Sequence, residues 1–168
     1  MSVPTSLTGR GAVIGYVVVA VAVVAVAFVM ANQADAKVPA YNADKNDVAI
    51  KGYDTVAYFT EGRPLKGDKQ FAHSWEEATW NFASASNRDL FTANPGRYAP
   101  QYGGYCALGL AAGEFADIDP ESWTIVDGKL YLNKSKEFRE TWRKAPEAYK
   151  ATADYNWNEN RDKLRVNL

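Results

Sequence analysis

The sequence predicts an α+β fold: a small antiparallel sheet made from two hairpins, packed with short helices, followed by C-terminal helices and preceded by an N-terminal hydrophobic helix. Three observations predict it. An uncharged run, "GAVIGYVVVAVAVVAVAFVM", fills residues 11–30. Two pairs of alternating runs, "QFAHSWEEATWNFAS" and "SWTIVDGKLYLN", each fold around a short turn, and alternation with period two marks strands that bury one face. Phe138, Trp142, Ala145 and Tyr149 recur at spacings of three and four, which is one apolar helical stripe. With 168 residues, 47% of them hydrophobic, the chain can build one globular core but not two.

The first 36 residues stand apart. "MSVPTSLTGR" has one charged side chain, Arg10, and the twenty residues after it have none. A helix of that length measures about 30 Å, the hydrocarbon thickness of a bilayer. Ala34 and Ala36 then form an A-x-A pattern of the kind signal peptidase cuts after. Residues 1–36 therefore read as a signal peptide or a signal anchor. The run is longer than the about 7–15 residues of a signal h-region, which favours an inner-membrane anchor; the A-x-A favours cleavage after Ala36. Both readings export the rest of the chain to a periplasm or an equivalent outer face, with Arg10 keeping the N terminus inside. Uncleaved, residues 11–30 make the membrane a partner.

Residues 37–48, "KVPAYNADKNDV", are polar and aperiodic and read as a linker, leaving residues 49–168 for the globular domain. Asp54 is a good cap for a short helical turn carrying Val56, Ala57 and Phe59, with Gly62 as its stop. In the first hairpin Phe71, His73 and Trp75 share the face that should turn inward. "SASNRDLFTANPGRY" reads as a short helix capped by Ser84 or Ser86, with Leu90 and Phe91 inward and Pro95 as stop. Gly103 and Gly104 permit a tight or left-handed backbone before "YCALGLAAG", two helical turns closed by Gly113. Asp127-Gly128 is a type I′ turn pair for the second hairpin, which should join the first in one sheet. From Ser135 the chain is helical, broken at Pro146 and continuing to about Arg161.

Charge excludes one class of partner. With 19 basic and 20 acidic residues and a net charge of -1, nothing builds the basic face that nucleic acid requires. No phosphate loop, dinucleotide fingerprint, C-x-x-C pair, H-E-x-x-H helix or nucleophile elbow is present in the sequence. Chemistry must therefore come from isolated residues. The chain has one cysteine, Cys106, and one histidine, His73. A single cysteine in an exported chain cannot pair internally, so it is a free thiol, a metal ligand, an intermolecular bridge or a small core residue. At the start of a helix, Cys106 would be favoured as a thiolate. His73 reads either as a buried neutral histidine or as a ligand. Tyr102, Tyr105 and Trp75 read as core aromatics.

Several stretches occur in an order that resembles the exported members of the YHS domain family: "AIKGYDTVAYFTEGRPLKG", "FAHSWEEATWNFASASNRDLFTANPGRYAPQYGGYCA" and "WTIVDGKLYLN". The resemblance spans roughly residues 45–150 and makes 49–168 a YHS-type domain. It implies an exported domain with one His and one Cys, of a kind associated with copper or another soft metal. The chain departs from the Cys-rich branch of the family, having Ala83 and Asn87 near the places of its cysteines, so a full thiolate cluster is not available. Thiolate and imidazole together suit Cu(I) or zinc, and two protein donors suffice for Cu(I) alone. The expected metal site is Cys106 with His73; Asp54, Asp117, Asp119, Tyr102 and Tyr105 are the residues that could add donors, although Asp117 and Asp119 read first as turn and cap. The leading expectation is a non-enzymatic domain that binds a soft metal ion, copper foremost, or a small ligand near Cys106 and His73. The alternatives are a thiol-dependent enzyme or redox sensor using Cys106, with His73 as base, and a purely structural or partner-binding module.

Overall fold

Residues 40–165 are described by the structure, a computed structural model, with side chains to Arg161. The expected hydrophobic helix and the choice between signal peptide and anchor lie outside these residues. Among the described residues no helix is long and apolar enough to cross a membrane.

The α+β class is as the sequence predicts, but the hairpins form two separate sheets instead of one. Strand β1 (Asp68–Trp75) pairs antiparallel with β2 (Ala78–Phe82), His73 standing opposite Trp80. Strand β3 (Asp119–Val126) pairs with β4 (Lys129–Asn133). On their second edges β2 and β4 each meet a single bridged residue from elsewhere in the chain, not the other hairpin. Val48 bridges Thr79 in parallel, with Ala49 N–H donating to Thr79 O (2.9 Å) and Thr79 N–H to Asp47 O (2.7 Å). Cys106 bridges Leu132 in the same way. With its N–H and C=O both satisfied, Thr79 offers no template for another strand at that point of the edge. Single bridges have no period, so nothing in the sequence announces them.

The Val48 bridge also changes the reading of the linker. The described part of it, Ala40–Val48, lies on the domain. Asn42 N–H donates to Gly103 O and Ile50 N–H to Asn42 O, each at 2.8 Å. The Tyr41 ring packs on Trp75 and Trp80, with centroids 5.3 and 5.1 Å apart.

The first hairpin turns through Glu76 and Glu77, both left-handed with φ of 45° and 65°, a geometry that disfavours side chains by about 1–2 kcal/mol per residue. The second turns through Asp127 and Gly128, φ 51° and 71°, as the Asp-Gly pair predicts.

Helix α1 (Ala57–Thr60) follows Asp54, and α2 (Ala85–Ala93) is capped by Ser84, whose hydroxyl accepts from Asn87 N–H at 3.1 Å. Phe91 is buried, with ring centroids 5.0 Å from both Trp80 and Phe82. Leu90, expected inward, is 40% exposed: neighbours on a helix point about 100° apart, and this short helix turns only the Phe91 side to the hairpin. Pro95 ends α2 and also opens α3 (Pro95–Tyr98), where its missing N–H is no loss. Helix α4 (Ala107–Ala111) precedes β3. Helix α5 (Lys136–Lys144), capped by Ser135, buries Trp142, and α6 (Pro146–Arg165) completes the fold. Ala145, expected in the apolar stripe, has φ -152° at the break before Pro146 and is exposed. The helical spacing stops one residue before it.

Two core clusters result. One joins Val56, Trp80, Phe82, Phe91, Cys106 and Leu132; the other joins Tyr102, Leu110, Tyr131, Trp142 and Ala153. Helix α5 lies on the second hairpin, α2 on the first, and α4 against α6.

Candidate functional site

Cys106 stands at the N-cap of α4 and is 0% exposed. Its sulfur accepts from Gly109 N–H at 3.3 Å, taking the place of the oxygen that a serine cap would offer. On its other side Sγ lies 3.7 Å from Asn133 Oδ1, which also accepts from Leu108 N–H at 3.2 Å. That backbone donor fixes which end of the Asn133 amide faces the helix. Oδ1 is an acceptor, so the contact from sulfur requires an S–H donor. The geometry holds a thiol and uses it to join α4 to the end of β4.

His73 is half-buried on the Phe71/Trp75 face of β1, as the alternation predicts, and its ring meets Phe91 with centroids 6.2 Å apart. Cys106 contacts β4 and α4, and it shares the first core cluster with Phe91. The two residues share no hydrogen bond or ring contact among the described residues, and no group of three or more His, Cys, Asp or Glu residues there is placed to hold a metal. A metal at Sγ would displace the S–H that faces Asn133 Oδ1, while the sulfur would still accept from Gly109 N–H.

The supplementary donors are engaged as well. Asp54 is buried and accepts four hydrogen bonds: Val56 N–H (2.8 Å) and Ala57 N–H (3.2 Å) on Oδ1, Ala83 N–H (2.8 Å) and Asn87 Nδ2 (2.7 Å) on Oδ2. Asp117 pairs with Lys51 Nζ at 2.6 Å and accepts from Ile118 N–H and Asn42 Nδ2. Partial burial opposes its ionisation, but those hydrogen bonds outweigh it and hold the carboxyl below its ordinary range. Asp119 caps its own turn, accepting from Glu121 N–H and Ser122 Oγ. Tyr102 donates to Asp154 Oδ1 at 2.8 Å; burial first, then that carboxylate, raises its phenol above the usual range. Tyr105 is raised likewise by burial and by Asp117.

What the sequence reading missed lies beside these residues. Tyr102, Gly103 and Gly104 are consecutive left-handed residues, φ 57°, 60° and 77°. The turn packs so closely that a Cβ on Gly103 would stand 2.1 Å from Ala40 O, and one on Gly104 2.2 Å from Ile50 Cδ1. Ile50 and Lys51 opposite are left-handed too, φ 51° and 54°. A buried β-branched residue in that region is strained, and such strain clusters at functional sites. Over this turn opens a recess of about 210 Å³, lined by Tyr41, Trp75, Tyr102, Gly103 and Trp157, with Glu76 and Arg161 also lining it. Trp75 is two residues from His73, and Gly103 is three from Cys106. Both lie in the stretches the sequence singled out, though the site does not use their His or Cys. Larger hollows open beside Asp117, with Lys51 in the lining, and beside Arg139, with Trp123 and Arg143.

No family model, no curated protein and no solved structure matches the chain. The fold and the recess define it as an α+β domain of two separate hairpins with a hollow of small-molecule size.

Proposed function

We propose that the chain is an exported, non-enzymatic YHS-type domain whose task is to bind a small ligand in the recess under Tyr41, Trp75 and Trp157, while Cys106 is structural. The export reading is supported by the uncharged run at 11–30 and Ala34-Asp35-Ala36; the family reading is supported by the ordered stretches quoted above. One observation carries the ligand reading: three half-buried aromatic side chains from distant parts of the chain border one hollow above a strained, glycine-bearing turn. Concave sites with a few convergent polar groups are where small ligands bind. The buried thiol of Cys106 favours neither a nucleophile nor a redox sensor, because both require access.

A thermal-shift screen of small polar and charged compounds on the full chain, purified in a maltoside detergent, tests the proposal. A ligand at a hundred times its Kd stabilises by about 2.7 kcal/mol, a rise of several degrees. The rise should disappear in Trp157→Leu. Stabilisation that persists in that variant, or no stabilising compound at all, would count against it.

A further inference from the structure

We infer that the recess takes a small zwitterion bearing a quaternary ammonium group, a betaine-type molecule; this rests on the small-ligand reading above. The size of the hollow, about 210 Å³, falls below the about 300–1,000 Å³ of sites for drug-sized ligands. Its rings are inclined: Tyr41 and Trp75 by 48° at 5.3 Å, Tyr102 and Trp157 by 62° at 6.3 Å. Neighbouring walls set at such angles do not make a parallel slot for a flat ring and suit a rounded group better. A methylated ammonium is rounded, has no hydrogen-bond donor to satisfy, and is attracted to the negative faces of Trp and Tyr. The same hollow is lined by one carboxylate, Glu76, and one guanidinium, Arg161. Each already makes another interaction, and neither has to be idle: a carboxylate adds to the field felt by the ligand's cation, and a guanidinium has five N–H donors to share with the ligand's carboxylate. Opposite charges on one small body match opposite charges on one small hollow.

The test uses two probes of one shape. Glycine betaine and 3,3-dimethylbutanoate differ only in having N⁺ or carbon at the branched centre. Calorimetric titration of the full chain in maltoside should give binding of glycine betaine at least about tenfold tighter than binding of the carbon isostere, the size of a desolvated cation–π contribution. Trp157→Leu should lose at least that factor. Glu76→Gln, at an exposed turn, should weaken betaine and leave the isostere unchanged; it serves if the Trp157 variant fails to fold. Equal binding of the two probes overturns the cation inference. If betaine fails while another compound of the thermal-shift screen binds with dependence on Trp157, the inference falls and the small-ligand reading stands. If no compound binds with such dependence, both fall.

Discussion

The Cys106 thiol and the Asn133 carboxamide are joined in the interior, Sγ lying 3.7 Å from Oδ1, with Leu108 N–H on the same oxygen. The single cysteine is thereby a clamp between the start of α4 and the end of β4. The first prediction is that Cys106→Ala destabilises the domain by about 1–3 kcal/mol, the cost of a lost cap and an uncovered N–H, and that Cys106→Ser costs less because its hydroxyl keeps both roles. Urea melts measure this. Native protein should leave the thiol unreactive to a chromogenic disulfide reagent, and Cu(I) competition titrations of the parent and Cys106→Ser should coincide. Cu(I) affinity that drops in the serine variant would assign Cys106 to a metal site instead.

Asp54 ties the turn before α1 to the end of β2 through two acceptor oxygens, each serving two donors. In Asp54→Asn one oxygen becomes an NH₂ that faces donors. The expected cost is about 3 kcal/mol or more, read as a lower urea midpoint at unchanged slope. An unchanged midpoint would show that the network carries no net stability.

Two glycines separate strain from clash. Gly128 has φ 71° and open space around a built Cβ; Gly104 has φ 77° and Ile50 Cδ1 at 2.2 Å. Gly128→Ala should cost about 1–2 kcal/mol, from backbone conformation alone. Gly104→Ala should cost that and a further overpacking term of about 1–3 kcal/mol. Equal costs in thermal melts would mean that the two left-handed turns do not pack as described.

The Lys51–Asp117 pair sets a modest acid dependence. A carboxyl held below its ordinary value contributes stability that is present above the unfolded-state pKa, about 3.9, and is lost as pH falls through the lowered folded-state value. Asp117→Asn should therefore be less stable than the parent near pH 7, and the gap should close below about pH 3.9. Both side chains are substantially exposed, so the gap should also shrink in high salt. A gap that is constant with pH would assign the effect to packing.

Much of the fold was legible because it is local. The turn pair Asp127-Gly128, the cap Ser84, the helix start at Ser135, the break at Pro146 and the alternation around His73 each state a short-range preference that the packing does not oppose. The separation of the hairpins was not legible, because the second edges of β2 and β4 meet single bridges at Val48 and Cys106, which have no period. Glu76-Glu77 gave no warning of a left-handed turn. The recess was hidden for a related reason: Tyr41, Trp75, Gly103 and Trp157 have no common spacing and meet only when the chain has folded. A usable signal was present in Tyr41 within "KVPAYNADKNDV" and Trp157 within "DYNWNENRD". Large rings in such polar surroundings have no local core to join and must be held against something distant.

The most direct test is the set of five tryptophan indole N–H signals in ¹⁵N-resolved NMR spectra of the full chain in maltoside, recorded during titration with glycine betaine and with the strongest stabiliser from the thermal screen. Trp75 and Trp157 line the recess, Trp123 lines the hollow beside Arg139, and Trp142 is fully buried in the second core cluster. Trp80 donates its indole N–H to Trp75 O at 3.1 Å and should follow Trp75 weakly. The account predicts saturable shifts of the Trp75 and Trp157 signals, with Trp123 and Trp142 stationary. Shifts confined to Trp123, or no indole shift with either compound, would contradict it.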